Sequence, residues 1–343
     1  MNWRQYLNPL LIAVAVAAVF VLLGAFSTGE FADFANPAPE ASSTGASATS
    51  SDSVTLVFAG DIMLSRAIGS LMAENGFDFP YARLDGTIRD ADIAFANLET
   101  PVSTRGANVG SIYSFRSDPA SLAGLKNAGF DVVSMANNHI WDYGRDAFLD
   151  TISNLDDAGL KHAGGGATFA DAHAPALVRA KGHTVALLAY TKLVPPFLSG
   201  NDSAPAVAYP DPTQIAADIA AAKKEGADIV IVSFHWGTEY STTHDAAQEA
   251  LAHAAIDAGA LIVMGHHPHV AEEIERYKGG LIMYSLGNFV FDQNFSADTS
   301  HGLLMRVVAD GKGIESVEPL EVKFNASYQP VIAGPWPQKA NVL

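Results

Sequence analysis

From residue 54 onward, short apolar runs alternate with amphipathic stretches of helical length. This alternation restricts the chain to an α/β domain built on largely parallel strands. Strands are expected at 54–60, 93–97, 132–136, 185–190, 229–234 and 261–265, and helices at 119–128, 145–158, 213–225 and 246–258. Several helical stretches end in Ala-Gly pairs such as Ala158-Gly159, which suit a C-terminal cap. The pattern then changes: 280–289, 301–309 and 314–324 read as strands with no helix between them, an antiparallel portion of a second sheet. One domain over 54–325 follows, and 326–343, with Pro330, Pro335 and Pro337, reads as a surface tail.

Ahead of this domain, 10–26 (LLIAVAVAAVFVLLGAF) is uninterruptedly apolar and, with Leu7 and Pro9 in front, reaches roughly across a ~30 Å hydrocarbon core. Arg4 precedes the run, Glu30, Asp33 and Glu40 follow it, and the next basic residue is Arg66. The positive-inside rule therefore gives a single-pass anchor in the cell membrane, with 1–9 cytoplasmic and the domain extracytoplasmic. A cleaved signal peptide ending near Ala25-Phe26-Ser27 is the competing reading. The Ser-, Ala-, Gly- and Pro-rich segment 27–53 is a flexible linker. A formal charge of -17 over 343 residues excludes nucleic acid as a partner, and the absence of cysteine excludes disulfides, thiolate nucleophiles and Cys-ligated zinc.

Several of the apolar runs stop at residues of metal-ligand type: Asp61, then Asn97 and Glu99, then Asn138-His139, then His235, then His266-His267-Pro268-His269. In α/β sheets the crevice beyond the carboxyl ends of the strands is where ligands bind. Carboxylate, amide and imidazole donors suit zinc, manganese, iron or magnesium. An ion held this way polarises a phosphoryl or carbonyl oxygen, and a nearby uncoordinated histidine can protonate a leaving group. Asp61 reads equally well as a helix N-cap, and Asn97 or Asn138 alone as a turn residue. The histidines at 266, 267 and 269 have no packing rationale. His162, His173, His183, His244, His253 and His301 belong to no such string.

The strings AGDIML, ANLETPVS, MANNHIWDYG, FHWGTEY, GHHPHV and YSLGNFVFDQ occur in that order. Over about 54–324 the chain thereby resembles the CapA family of poly-gamma-glutamate capsule synthesis proteins, which is similar in fold to calcineurin-like metallophosphoesterases. The resemblance implies a metallophosphatase-like four-layer sandwich, two mixed sheets flanked by helices, and the apolar run places one N-terminal transmembrane helix ahead of it. The resemblance also implies one or two divalent ions, with Asn138, His235 and His267 around one position and Asp61 with His269 around the other. Glu99 is the implied bridging carboxylate, with Asn97 as the alternative, and His139 the general acid. His266 and Glu239 are additional residues without an assigned role. Two departures stand out: Met63 occupies the place of a ligating histidine, and Glu99 belongs to an Asn-x-Glu string.

The implied role is in synthesis, export or surface attachment of a poly-gamma-glutamate or related polymer. Within it the chain is a metal-dependent hydrolase acting on a phosphoester or a polymer amide, or a non-catalytic module binding an anionic polymer beside membrane synthase subunits. An extracytoplasmic phosphodiesterase unrelated to capsule is the third reading.

Overall fold

The computed structural model describes residues 52–198 and 204–337. The expected segments at 1–9 and 10–26, and the linker up to residue 51, lie outside the described residues. Among the described residues, no helix is long and apolar enough to cross a membrane.

The chain begins with β1 (Val54–Ile62), α1 (Arg66–Asn75), β2 (Ile93–Leu98), α2 (Ser121–Asn127), β3 (Val132–Ser134), α3 (Gly144–Asp157), β4 (Lys161–Ala163) and β5 (Gly165–Gly166). It continues through α4 (Phe169–His173), β6 (Ala176–Ala180), β7 (His183–Thr191), β8 (Ala206–Val207), α5 (Pro212–Lys224), β9 (Ile229–His235), α6 (Ala246–Ala258) and β10 (Ile262–His266). It closes with β11 (Ile274–Tyr277), β12 (Gly280–Met283), β13 (Asn288–Val290), β14 (His301–Asp310), β15 (Gly313–Phe324) and β16 (Pro330–Pro335). The expected strands and helices are present with ends shifted by a residue or two, except that the expected strand 280–289 is two strands, β12 and β13, which lie in different sheets.

Two mixed sheets carry the fold. The first runs β16-β15-β14-β1-β2-β3-β4, with β13 paired beside β1, and the second runs β11-β12-β10-β9-β7-β6. β1 to β4 are parallel, as are β7, β9, β10 and β12. Period-2 alternation on β9 shows how the second sheet is sandwiched: Ile229 and Ile231 belong to the core shared with the first sheet, while Val230, Val232 and Phe234 face the core with α5 and α6. Each such side chain contributes about 1.5–3 kcal/mol of burial. Ile68, Met72, Leu122, Leu125, Phe148 and Leu155 bring α1, α2 and α3 onto the shared core, completing a helix–sheet–sheet–helix arrangement.

Local chemistry sets the helix ends. Asp211 caps α5 by accepting from Thr213 N and Gln214 N, with Pro212 in the first turn. Asp245 and Gln248 form a capping box on α6, which ends at Gly259 in the left-handed region.

Two expectations are corrected. The antiparallel C-terminal strands extend the first sheet, because β14 pairs along β1 from Val54↔Ala309 to Phe58↔Met305; β12 alone of that stretch joins the second sheet, parallel to β10. Part of the expected tail, Pro330–Pro335, is the edge strand β16 on β15. Its prolines are tolerated because they stand at the ends of an edge strand, where missing donors break few ladder bonds.

Candidate metal centre

The carboxyl ends of β1, β2, β3, β9 and β10 converge. Asp61 stands opposite Asn97 across β1 and β2, and His235 opposite His266 across β9 and β10. Gly60 makes the β1 end possible: a Cβ there would lie 1.9 Å from Gly287 O, whereas the bare backbone lets Asp61 N donate to that oxygen at 2.9 Å. Asp61 is not a helix cap, since the N-cap of α1 is Ser65.

Asp61 and Glu99 are fully buried. The Asn97 amide nitrogen sits 2.9 Å from Asp61 Oδ1, 3.2 Å from Glu99 Oε2 and 3.3 Å from His235 Nδ1. Its oxygen accepts from Asn137 at 3.1 Å, so Asn97 turns its amide nitrogen, a donor, toward the two carboxylates. His235 Nε2 meets Asn138 Oδ1 at 2.8 Å. Glu99 Oε1 is buried with no hydrogen-bond partner among the described residues. Around it stand three imidazole Nε2 atoms, of His269 at 3.6 Å, His139 at 3.9 Å and His235 at 4.0 Å. Donor atoms that share an ion at ~2.0–2.2 Å lie roughly 3–4 Å apart, so the spacings of Glu99 to His269 and His235 fit a cation, with His139 beside it. One donor atom each from Asp61, Glu99 and His235 lie within 4.8 Å of one another.

Neighbouring groups aim these rings. His269 Nδ1 is 3.0 Å from Asn288 Oδ1 and 3.3 Å from Asp61 Oδ2. A proton on Nδ1 leaves the Nε2 lone pair facing Glu99. His139 Nδ1 is 2.7 Å from Asp142 Oδ2, and Phe115 packs on its ring at 3.9 Å between centroids. His267 N donates to Asp61 Oδ2 at 3.3 Å, while its ring lies 4.8 Å from that of His235. His267 and His269 hold φ of 97° and 59°, a strained conformation for residues with a Cβ.

The implied ligand residues are therefore brought together: Asp61, Glu99 and His235 form one cluster, with Asn138 and His267 beside His235 and His269 against both carboxylates. His266 is completely buried, with Nδ1 3.1 Å from Asp61 Oδ1 but poorly aligned for a hydrogen bond. Met63 is turned away; its sulfur accepts from Ser65 N at 3.1 Å and Ser65 Oγ at 3.0 Å. Glu239 lies at the rim of an adjoining cleft and not with the ligands.

Burial raises the Glu99 carboxyl well above the usual carboxylate range, and the charges of Asp61, Glu239 and Asp142 add to this. Burial also opposes ionisation of Asp61, yet the imidazoles of His266 and His269 close beside it outweigh this and hold that carboxyl well below 3.8. Burial and the neighbouring His267 push His235 down, and burial with His269 pushes His267 down to about 4. Without an ion, burial and neighbouring charge thus favour the protonated form of Glu99 and the neutral, ligating form of both imidazoles.

Sequence reasoning missed Asp142, Asn288 and Arg66. Asp142 and Asn288 lie inside the recurring strings, but nothing in a single sequence pairs them with His139 and His269. Arg66 follows its string closely and lines a cleft of ≈ 220 Å³ over the site, together with His139, His269, Phe115, Tyr240 and Phe295.

Residues 55–293 match the family described as bacterial capsule synthesis protein PGA_cap. The chain belongs to this family. It is 31% identical over 326 residues to the "Capsule biosynthesis protein CapA" of Bacillus anthracis, covering 92% of this chain and 77% of that one. It is 33% identical over 315 residues to the "PGA biosynthesis protein CapA" of Bacillus subtilis (strain 168), covering 91% and 80%. Among solved structures, this family member is similar to a putative 5'-nucleotidase from Staphylococcus aureus, at a TM-score of 0.49 and 14% identity over 84% of this chain and 56% of that one.

Proposed function

We propose that the chain is a metal-dependent hydrolase of capsule-polymer metabolism, held at the outer face of the membrane by 10–26. The observation that carries this reading is Glu99 Oε1, a bare buried carboxylate oxygen ringed by three imidazole nitrogens. Leaving such a group unpaired is costly unless a cation satisfies it. Asn138, His235 and His267 would hold one ion, Asp61 and His269 a second, and Glu99 would bridge them. The donor set accepts manganese, zinc, iron or magnesium. When bound, the ion supplies Lewis-acid polarisation of a phosphoryl or carbonyl oxygen.

The remaining steps belong to the protein. Asp142 fixes the Nδ1 proton of His139 and compensates the charge when the ring carries a second proton. That places an Nε2–H at the edge of the cleft, where it can pass to a leaving oxygen or nitrogen. The strand ends wall the carboxylates off from water, so the charges act in a medium of low polarity.

The test is elemental analysis of the purified full chain, then incubation with poly-gamma-glutamate and with phosphodiesters. Bound divalent metal, and cleavage abolished in His139→Ala, are expected. A chain that binds no divalent ion, or one still active as His139→Ala, refutes the hydrolase. Met63 favours a second reading: with its sulfur committed to Ser65 the Asp61 side lacks one donor, and a site with one ion that binds anionic polymer beside a synthase without cleaving it is the alternative. Polymer binding without turnover distinguishes it.

A further inference from the structure

The metal reading leaves the cleft over the site unexplained, and its lining has a marked charge composition. Arg66 is the one cationic Lys or Arg side chain lining it among the described residues, against the carboxylates of Glu239 and Asp292. Arg66 is also unusually well positioned. Its backbone is held at φ 52°, and Asp292 Oδ2 accepts both from Ala67 N and from Arg66 Nε at 3.2 Å. Its guanidinium carbon lies 4.7 Å from the Phe115 centroid and 5.8 Å from that of Phe291. Phe115 in turn packs on His139, so the guanidinium, the phenyl ring and the proton-transfer imidazole are fixed relative to one another.

The ion pair with Asp292 uses Nε and Nη2. A guanidinium carries five N–H groups, and Nη1 has no acceptor among the described residues. The side chain retains 33% exposure, and its charge is felt at Glu99. A cleft of ≈ 220 Å³ is smaller than the ~300–1,000 Å³ of drug-sized sites, and a single arginine cannot neutralise a run of carboxylates.

We propose that Arg66 is the anion anchor of this cleft, holding one carboxylate or phosphate group of a monomer-sized unit beside the metal centre. The proposal builds on the hydrolase reading, which places the reacting bond next to that unit. It makes the substrate an end or a single unit of an anionic chain, and not a polyanionic strand laid across the surface. Asp292 is then a positioning residue that aims the guanidinium and competes with the ligand for it.

The competing, purely structural account has Arg66 and Asp292 as a tie between α1 and the segment after β13, and the two accounts differ in sign. The full chain is titrated calorimetrically with inorganic phosphate and with γ-glutamyl-glutamate, with and without Mn²⁺. Arg66→Gln weakens binding of the preferred probe by about tenfold or more, the usual worth of a charged hydrogen bond. Asp292→Asn, which keeps an oxygen for Ala67 N but frees the guanidinium, leaves binding unchanged or tightens it. Wild-type protein that binds neither probe, Arg66→Gln that binds as wild type, or both variants weakened alike overturns the proposal. Mn²⁺ stoichiometry measured on the same samples judges the metal centre separately: Arg66-dependent anion binding without Mn²⁺ binding sinks that reading and spares the anchor. The probe that loses more identifies the group as phosphate or carboxylate.

Discussion

Replacing Glu99 by Gln tests the centre through a reversal of sign. In the metal-free protein the Glu99 carboxyl is fully buried, lies beside Asp61 and is raised well above its reference value of 4.5. Between 4.5 and its folded value the native state holds a proton that the unfolded chain has released, so stability falls as pH rises through that window. The slope is at most about 1.4 kcal/mol per pH unit. His235 and His267, both lowered, contribute the opposite slope, but only below their unfolded value of 6.5. Asp61 acts only below 3.8. Glu272, raised by burial to about 8, has the same sign as Glu99, but it is present in both proteins and cancels in their difference.

From pH 4.5 upward, therefore, metal-free wild type loses stability relative to Glu99→Gln for as long as Glu99 keeps its proton, the histidines and Asp61 cancelling in the difference. That amounts to about 2–4 °C of melting temperature per pH unit. Divalent ion inverts the order. At a hundredfold excess over Kd it stabilises wild type by about 2.7 kcal/mol and leaves the glutamine variant unmoved. The assay is thermal melting from pH 5 to 8.5 with EDTA or with Mn²⁺. Parallel pH profiles for the two proteins in EDTA, or an equal Mn²⁺ shift in both, would show that no buried carboxylate waits for a cation.

Other outcomes follow from the same geometry. Calorimetric Mn²⁺ titrations in buffers of different ionisation enthalpy, run inside the pH window in which the EDTA melts show Glu99 protonated, should show a proton release that disappears in Glu99→Gln. Asp142→Asn removes the acceptor 2.7 Å from His139 Nδ1. Turnover should fall by about 10²-fold or more with metal content unchanged, and loss of metal instead would make Asp142 a support of the ligands. Gly60→Ala puts a methyl 1.9 Å from Gly287 O and should cost about 1–3 kcal/mol in a denaturant melt; an unchanged midpoint refutes the close approach of β1 and β13. A reporter fused after residue 343 should be active only outside the cytoplasm if 10–26 anchors the chain as its flanking charges imply.

Much of the architecture was legible because periodicity is a local property. The continuous apolar runs at 54–60 and 229–234 mark doubly covered strands, and the amphipathic stretches at 213–225 and 246–258 mark helices within a residue of α5 and α6. The metal-type residues were legible for the same reason: each closes a run that had to be a strand, and strand ends are where sites form. Sheet membership was not legible. Whether β14 joins β1 or the other sheet depends on pairing partners some 250 positions away, and an alternating strand carries no label for its neighbour.

The sequence by itself determined the donor chemistry of this protein: carboxylate, amide and imidazole, without thiolate, at the ends of buried strands. Only the tertiary structure decided how those donors are used. It turned the Asn97 amide toward the carboxylates, swung Met63 onto Ser65, and set Asp142 and Asn288 behind two of the rings. It also drew Arg66 over the cleft through Asp292, a residue 226 positions away. The physical reason is that residue identity limits which bonds a side chain can make, while orientation is chosen by competition among neighbours that only folding brings within hydrogen-bond reach.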